Sequence, residues 1–182
     1  MQIVGKSISR IVSWAAAVAC ILLICLVAHV TFDVVMRYVF EKPLNSTILY
    51  VSAYYMVAIA FLPLALVEEN NGHIAVELFT NRLSGKAQKI LLVISTILTS
   101  IVTAIVAVRT GQEALTQYSN GTFSLEAGRK VIIWPSYFFL PFGLAMISLV
   151  AAWKVFASMT GRNSGLSILN IEDPYLPKDL EK

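Results

Sequence analysis

Uncharged and mostly apolar residues fill four long runs of this chain, Ile11 to Phe32, Pro43 to Val67, Ile90 to Val108 and Val131 to Trp153, and charged residues bound each run. A helix needs about 20 such residues to cross a hydrocarbon core about 30 Å thick. The pattern therefore predicts four transmembrane helices, set at about 11–36, 43–67, 87–115 and 131–155. The first run is too long for the core of a signal peptide, roughly 7–15 residues, and no small-residue cleavage site precedes Asp33, so it is kept as a spanning helix.

After the second run, Asn70-Asn71-Gly72 reads as a turn, and His73 to Leu83 then mixes Ile74, Leu78, Phe79 and Leu83 with Glu77, Asn81 and Arg82. This mixture predicts a short amphipathic helix, about 73–83, lying in the membrane interface, with Ser84 placed to cap the third span. A polar tail follows at 156–182. The expected fold is an all-α membrane protein, one four-helix transmembrane domain over 1–182 with the interfacial helix between helices 2 and 3.

Composition agrees: 57% of the 182 residues are hydrophobic, only 14% are charged, and the mean hydropathy is +0.73. The net charge of +3 sits in loops and termini, which points to lipid headgroups and topology and away from nucleic acid. With the N-terminus cytoplasmic, Lys6, Arg10, Arg82, Lys86, Lys89, Lys154, Arg162, Lys178 and Lys182 fall inside. Only Arg37, Lys42, Arg109, Arg129 and Lys130 fall outside, so both termini are expected in the cytoplasm. Trp14 and Trp153 then mark the inner interface, and Tyr38, Phe40, Trp134 and Tyr137 the outer one.

Candidate chemistry is sparse. Cys20 and Cys25 are five apart on one helix, with no redox or metal spacing. Thr96, Thr99, Ser100, Thr103, Ala104 and Ala107 form a small-residue stripe that reads as a packing face, and Pro63 should bend helix two near Ile59 to Pro63. Tyr50 and Tyr54 share a face of the same helix. No Asp, Glu, Lys or Arg lies in the interior of a run, so the usual marker of an ion or substrate path is missing. Asp33 and Arg37 are four apart and expected to pair. His29 and His73 fall at opposite sides of the membrane, which argues against a haem, and His29 reads as an interhelical contact. No nucleophile with a paired base, phosphate loop or metal cluster is visible, so neither an enzyme nor a cofactor is expected.

Arg37-Tyr38-Val39-Phe40 followed by Pro43-Leu44, and then Glu68-Glu69-Asn70-Asn71-Gly72-His73-Ile74-Ala75-Val76-Glu77-Leu78-Phe79, resemble the small (DctQ/SiaQ-like) membrane subunit of tripartite ATP-independent periplasmic (TRAP) transporters. The likeness is densest over 33–83 and looser at Trp134-Pro135 and Pro141. Family members often carry Trp and Glu after the Pro-Leu pair, where this chain has Asn45-Ser46-Thr47-Ile48-Leu49-Tyr50, and Glu77 stands where Asp is common.

The resemblance implies a bacterial or archaeal inner-membrane complex. In it, a large multi-helix permease subunit carries an organic acid such as a C4-dicarboxylate, a sialic acid or a sulfonate. A periplasmic binding protein delivers the solute transiently, coupling is to a cation gradient, usually sodium, and the small subunit braces the large one. Arg37, Tyr38, Phe40, Pro43, Glu68, Gly72, His73 and Glu77 are then candidates for the partner interface. The 109–130 connection is unusually polar, and Arg109, Glu126, Arg129 and Lys130 are candidates for docking the binding protein. Two other readings remain at this point, a self-contained four-helix channel or exporter working as a homo-oligomer, and a membrane enzyme or electron carrier.

Overall fold

The computed structural model describes residues 2–70, 85–126, 128–160 and 166. The expected interfacial helix at 73–83, the Ser84 cap and most of the tail lie outside them. Four helices are long and apolar enough to span a membrane, so the chain is an all-α membrane protein. α1 runs Gln2–Val39, α2 Thr47–Glu69, α3 Gly85–Ser119, and α4 Phe139–Thr160 after a 3₁₀ turn at Trp134–Phe138. At 38 and 35 residues, α1 and α3 rise about 57 and 52 Å, well beyond a hydrocarbon core.

α2 is interrupted twice. Val51–Tyr55 forms a π-turn, and the helix breaks at Leu62 and Pro63 before resuming at Leu64–Glu69. Proline lacks the N–H that would continue the ladder, while its own carbonyl accepts from Leu66 and Val67 at 2.9 and 3.3 Å. The helix is therefore interrupted at Pro63, where the sequence places a bend.

α4 is the central helix, packed on α2 along one side and on α3 along the other, while α1 lies mainly on α2. In a bilayer the lipid tails are as apolar as leucine, so helices associate by close packing of small side chains. Ala15, Ala19, Ala58 and Leu62 make one buried cluster, and Val12, Ala65, Ile147, Val150 and Leu166 another. Gly143 of α4 lies so close to α2 that an added Cβ would stand 2.4 Å from the Phe61 carbonyl oxygen. Between α3 and α4, Ser100 and Ser148 each donate to the other's carbonyl, at 3.2 and 3.1 Å. The small-residue stripe of α3 is a packing face, as its spacing predicts.

One element is not helical. Beyond Ser119, strands β1 (Phe123–Glu126) and β2 (Arg129–Ile132) pair antiparallel, with Phe123 opposite Ile132 and Glu126 opposite Arg129. Gly128 has φ of 75° at the turn, a conformation that glycine adopts without strain.

Candidate functional site

Charged groups gather at the two ends of the bundle. At the end that holds the N-terminus, Lys154 of α4 is 5% exposed and its Nζ lies 3.7 Å from Glu68 Oε1 of α2. The same ammonium donates to the Glu68 carbonyl oxygen at the end of α2. Glu69 is also 5% exposed and faces both this ammonium and Ser9 of α1. The Ser9 hydroxyl is buried against the Glu69 carboxylate, and among the described residues neither Ser9 Oγ nor Glu69 Oε2 has a well-formed hydrogen bond. Three helices thus meet at one desolvated ion cluster.

Glu68 and Lys154 lie near the ends of their spans, as the apolar runs predict, but the protein buries both between helices. A signal existed: Gly143, Ile147, Val150, Lys154 and Ala157 recur at spacings of four and three, which puts Lys154 on the buried seam of α4. Ala58, Leu62, Ala65 and Glu69 repeat the same spacing on α2. An ammonium in apolar surroundings is tolerated when it is paired and hydrogen-bonded, and removing its partner exposes the full desolvation cost.

At the opposite end Asp33 accepts from two sources. Its Oδ2 pairs with Arg37 Nη2 at 3.2 Å, the expected i, i+4 contact, and its Oδ1 accepts from the Leu44 N–H at 2.8 Å. The second bond closes the turn between α1 and α2, in which Glu41 and Ser46 take left-handed φ of 54° and 65°. Arg37, Tyr38, Phe40 and Pro43 come together on the surface of this turn, with Tyr38 81% exposed. Of the remaining partner-interface candidates, Glu68 sits in the buried cluster, and Gly72, His73 and Glu77 lie outside the described residues.

An aromatic group links this end to the hairpin. His29 packs between Tyr50 and Tyr55, at ring distances of 6.4 and 5.8 Å, and Tyr50 lies 6.1 Å from Tyr54. Tyr54, on the π-turn, donates to the Ile132 carbonyl at 2.6 Å. Inserted π-turns re-aim side chains, and here one points a phenol out of α2 at a strand. On the hairpin, Lys130 Nζ stands 3.8 Å from the Phe123 ring centroid and Arg129 is exposed, while Phe123, Leu125 and Ile132 show an apolar outer face.

Of the docking candidates, Glu126, Arg129 and Lys130 are together on the hairpin. Arg109 stands apart on α3, which continues past it to Ser119, within the stretch Val93–Ser119 that is long and apolar enough to span a membrane.

Among the described residues, no group of three or more His, Cys, Asp or Glu side chains is placed to hold a metal ion. The sequence did not reveal the roles of Ser9, Glu69, Lys154 and Tyr54, each of which acts on an element distant in the chain.

A family model described as the DctQ component of tripartite ATP-independent periplasmic transporters matches residues 26–161, well over half of the chain. No curated protein and no solved structure matches it.

Proposed function

The chain belongs to the DctQ-component family of tripartite ATP-independent periplasmic transporters, and from that premise we propose that it braces a large permease subunit during uptake of an organic acid. The substrate is of the C4-dicarboxylate, sialic acid or sulfonate type, uptake is coupled to a cation gradient, usually sodium, and a periplasmic binding protein delivers the solute. The chain sits in the inner membrane with both termini in the cytoplasm, following the distribution of Lys and Arg.

The observation that carries this reading is the fate of the bundle's ionisable groups. Glu68, Glu69 and Lys154 are drawn into one another, and Asp33 is spent on Arg37 and a loop N–H. Close packing of Gly143 on Phe61 fills the seam between α2 and α4. Such a bundle is built to be rigid, which suits a brace for a moving partner.

The decisive experiment deletes this chain from a strain that keeps the large subunit and the binding protein. Uptake should disappear and return on complementation. Undiminished uptake in the deletion strain, or transport by the chain alone in proteoliposomes, would overturn the bracing role. A reporter fused after Lys182 should read as cytoplasmic, and one inserted near Asn120 as periplasmic.

Docking of the binding protein is assigned to the hairpin side of the same end, through Glu126, Arg129 and Lys130. Reversing Arg129 and Lys130 to Glu should raise the binding-protein concentration for half-maximal uptake and change its salt dependence, with the maximal rate kept. Unchanged curves at low and moderate salt would leave these two residues to the lipid headgroups.

A further inference from the structure

Arg109 is an arginine inside a spanning helix, exposed on its surface, and no hydrogen bond or ion pair to it is found among the described residues. Its depth follows from how α3 is registered on α4. Tyr118 stacks edge-on against Trp134 at 4.7 Å, where the fourth span, Trp134–Ser158, begins. A Cβ added at Gly111 would lie 3.9 Å from Pro141 Cβ, and Ser100 meets Ser148. Arg109 is nine residues from Tyr118, about 13 Å further into the bilayer at 1.5 Å per residue, against a hydrocarbon half-thickness of about 15 Å. To reach a headgroup its guanidinium would have to climb more than two helical turns. Charges at such depth normally face a protein partner or a water-filled cavity.

The residues around it form a second seam. Ser100, Ala104, Ala107, Gly111, Ala114 and Tyr118, alternating four and three apart, lie on the face that α4 covers, and Ala114 is fully buried there. Leu98, Val102, Ile105, Arg109, Gln112 and Thr116 repeat the same spacing on the opposite face, and all six are exposed. Two residues of offset rotate a helix by about 200°, so this outer seam points directly away from α4. It is apolar in its deeper half and polar toward Tyr118. Lipid tails offer nothing to a guanidinium and an amide, whereas a helix carrying an acceptor does.

We infer that this outer seam of α3 packs against a transmembrane helix of the large permease subunit, which presents a carboxylate to the Arg109 guanidinium. The inference rests on the reading of the chain as the small subunit of a membrane complex. Charge complementarity selects the occupant: Glu113, one turn away on α3, is engaged by Gln117 instead of Arg109, so the acidic partner comes from a neighbouring helix, and a planar bidentate carboxylate satisfies the guanidinium fork best. The apolar half of the seam supplies helix packing, and Arg109 fixes depth and register.

The test uses the co-expressed complex. Wild-type chain is first shown to co-purify with the large subunit; failure there would sink the small-subunit reading, not the seam. Given that result, Arg109→Ala should lower the yield of complex about tenfold or more, since stripping one partner from a desolvated pair strands the other. Arg109→Lys should recover part of it. The isolated Arg109→Ala chain should melt in detergent at the wild-type temperature, because no described residue holds the guanidinium. A photo-crosslinking residue at Val102 or Gln112 should form adducts with the large subunit, and one at Leu23 of α1 should serve as the lipid-facing control. Wild-type complex yield in Arg109→Ala would show that the guanidinium merely reaches a lipid phosphate, and the inference would fail. It would fail equally if the isolated variant unfolded, or if Val102 and Gln112 gave no adduct in an intact complex.

Discussion

Lys154 and Arg109 are cations of similar length on neighbouring helices, and the protein treats them in opposite ways. Lys154 is turned inward, 5% exposed, and claimed by Glu68 and Glu69. Arg109 is turned outward, and no partner for it is found among the described residues. The difference divides the molecule into a part that completes itself, where α1, α2 and α4 converge, and a part that does not, the far face of α3. Interior charge thus stabilises the subunit in one place and is reserved for a neighbour in the other.

The sharpest way to break this contrast is to remove Lys154. Lys154→Met leaves two buried carboxylates without their ammonium and should cost about 3–5 kcal/mol, read as loss of folded protein after detergent extraction. Adding Glu68→Gln to the same chain should restore much of that loss. A double variant no better than the single one would show that the ammonium acts through the Glu68 carbonyl and Glu69, not through the Glu68 carboxylate.

Gly143→Ala comes next. Its Cβ would meet the Phe61 backbone at 2.4 Å, and backbone cannot swing aside as a side chain can, so α2 and α4 must separate. Overpacking of this kind costs about 1–3 kcal/mol, measured as a lower melting temperature of the isolated chain. An unchanged melt would mean that the two helices are further apart than the contact implies.

Tyr54→Phe deletes one hydrogen bond, to the Ile132 carbonyl, and should cost about 1 kcal/mol. Its effect should be local: faster amide exchange across Phe123 to Ile132, with α4 unaffected. Exchange that rose equally throughout would deny the phenol its role as the hairpin's tie to α2.

The smallest effect is expected at Arg37→Ala. The Arg37 side chain is 56% exposed, so its pair with Asp33 contributes no more than about 1 kcal/mol after screening by solvent. Asp33→Ala should cost more, because it also strands the Leu44 N–H. Equal melts for the two variants would contradict the separate roles given to the two carboxylate oxygens.

Several features were legible because they are local. The Asp33–Arg37 contact needs only helical spacing, and the break at Pro63 only the missing N–H of proline. The hairpin was legible in principle: Phe123-Ser124-Leu125-Glu126 alternates, and Gly128 marks the turn before Arg129 to Ile132. It was passed over because the charges of this stretch look like an ordinary polar connection between spans.

By itself, the sequence determined that there are four long apolar helices and which motifs carry the family likeness, since run length and short spacing are properties of neighbouring residues. Tertiary structure alone decided which way each charged side chain faces and at what depth. Glu68 and Lys154, 86 positions apart, become an ion pair only when α2 and α4 are registered by Gly143 against Phe61. Arg109 is set on the face of α3 turned away from α4 only when Tyr118 stands beside Trp134 and Ser100 beside Ser148. Hydropathy measures how apolar a segment is; it is blind to the rotation and sliding of one helix against another, and those two freedoms decide whether a charge is buried, paired or offered to a partner.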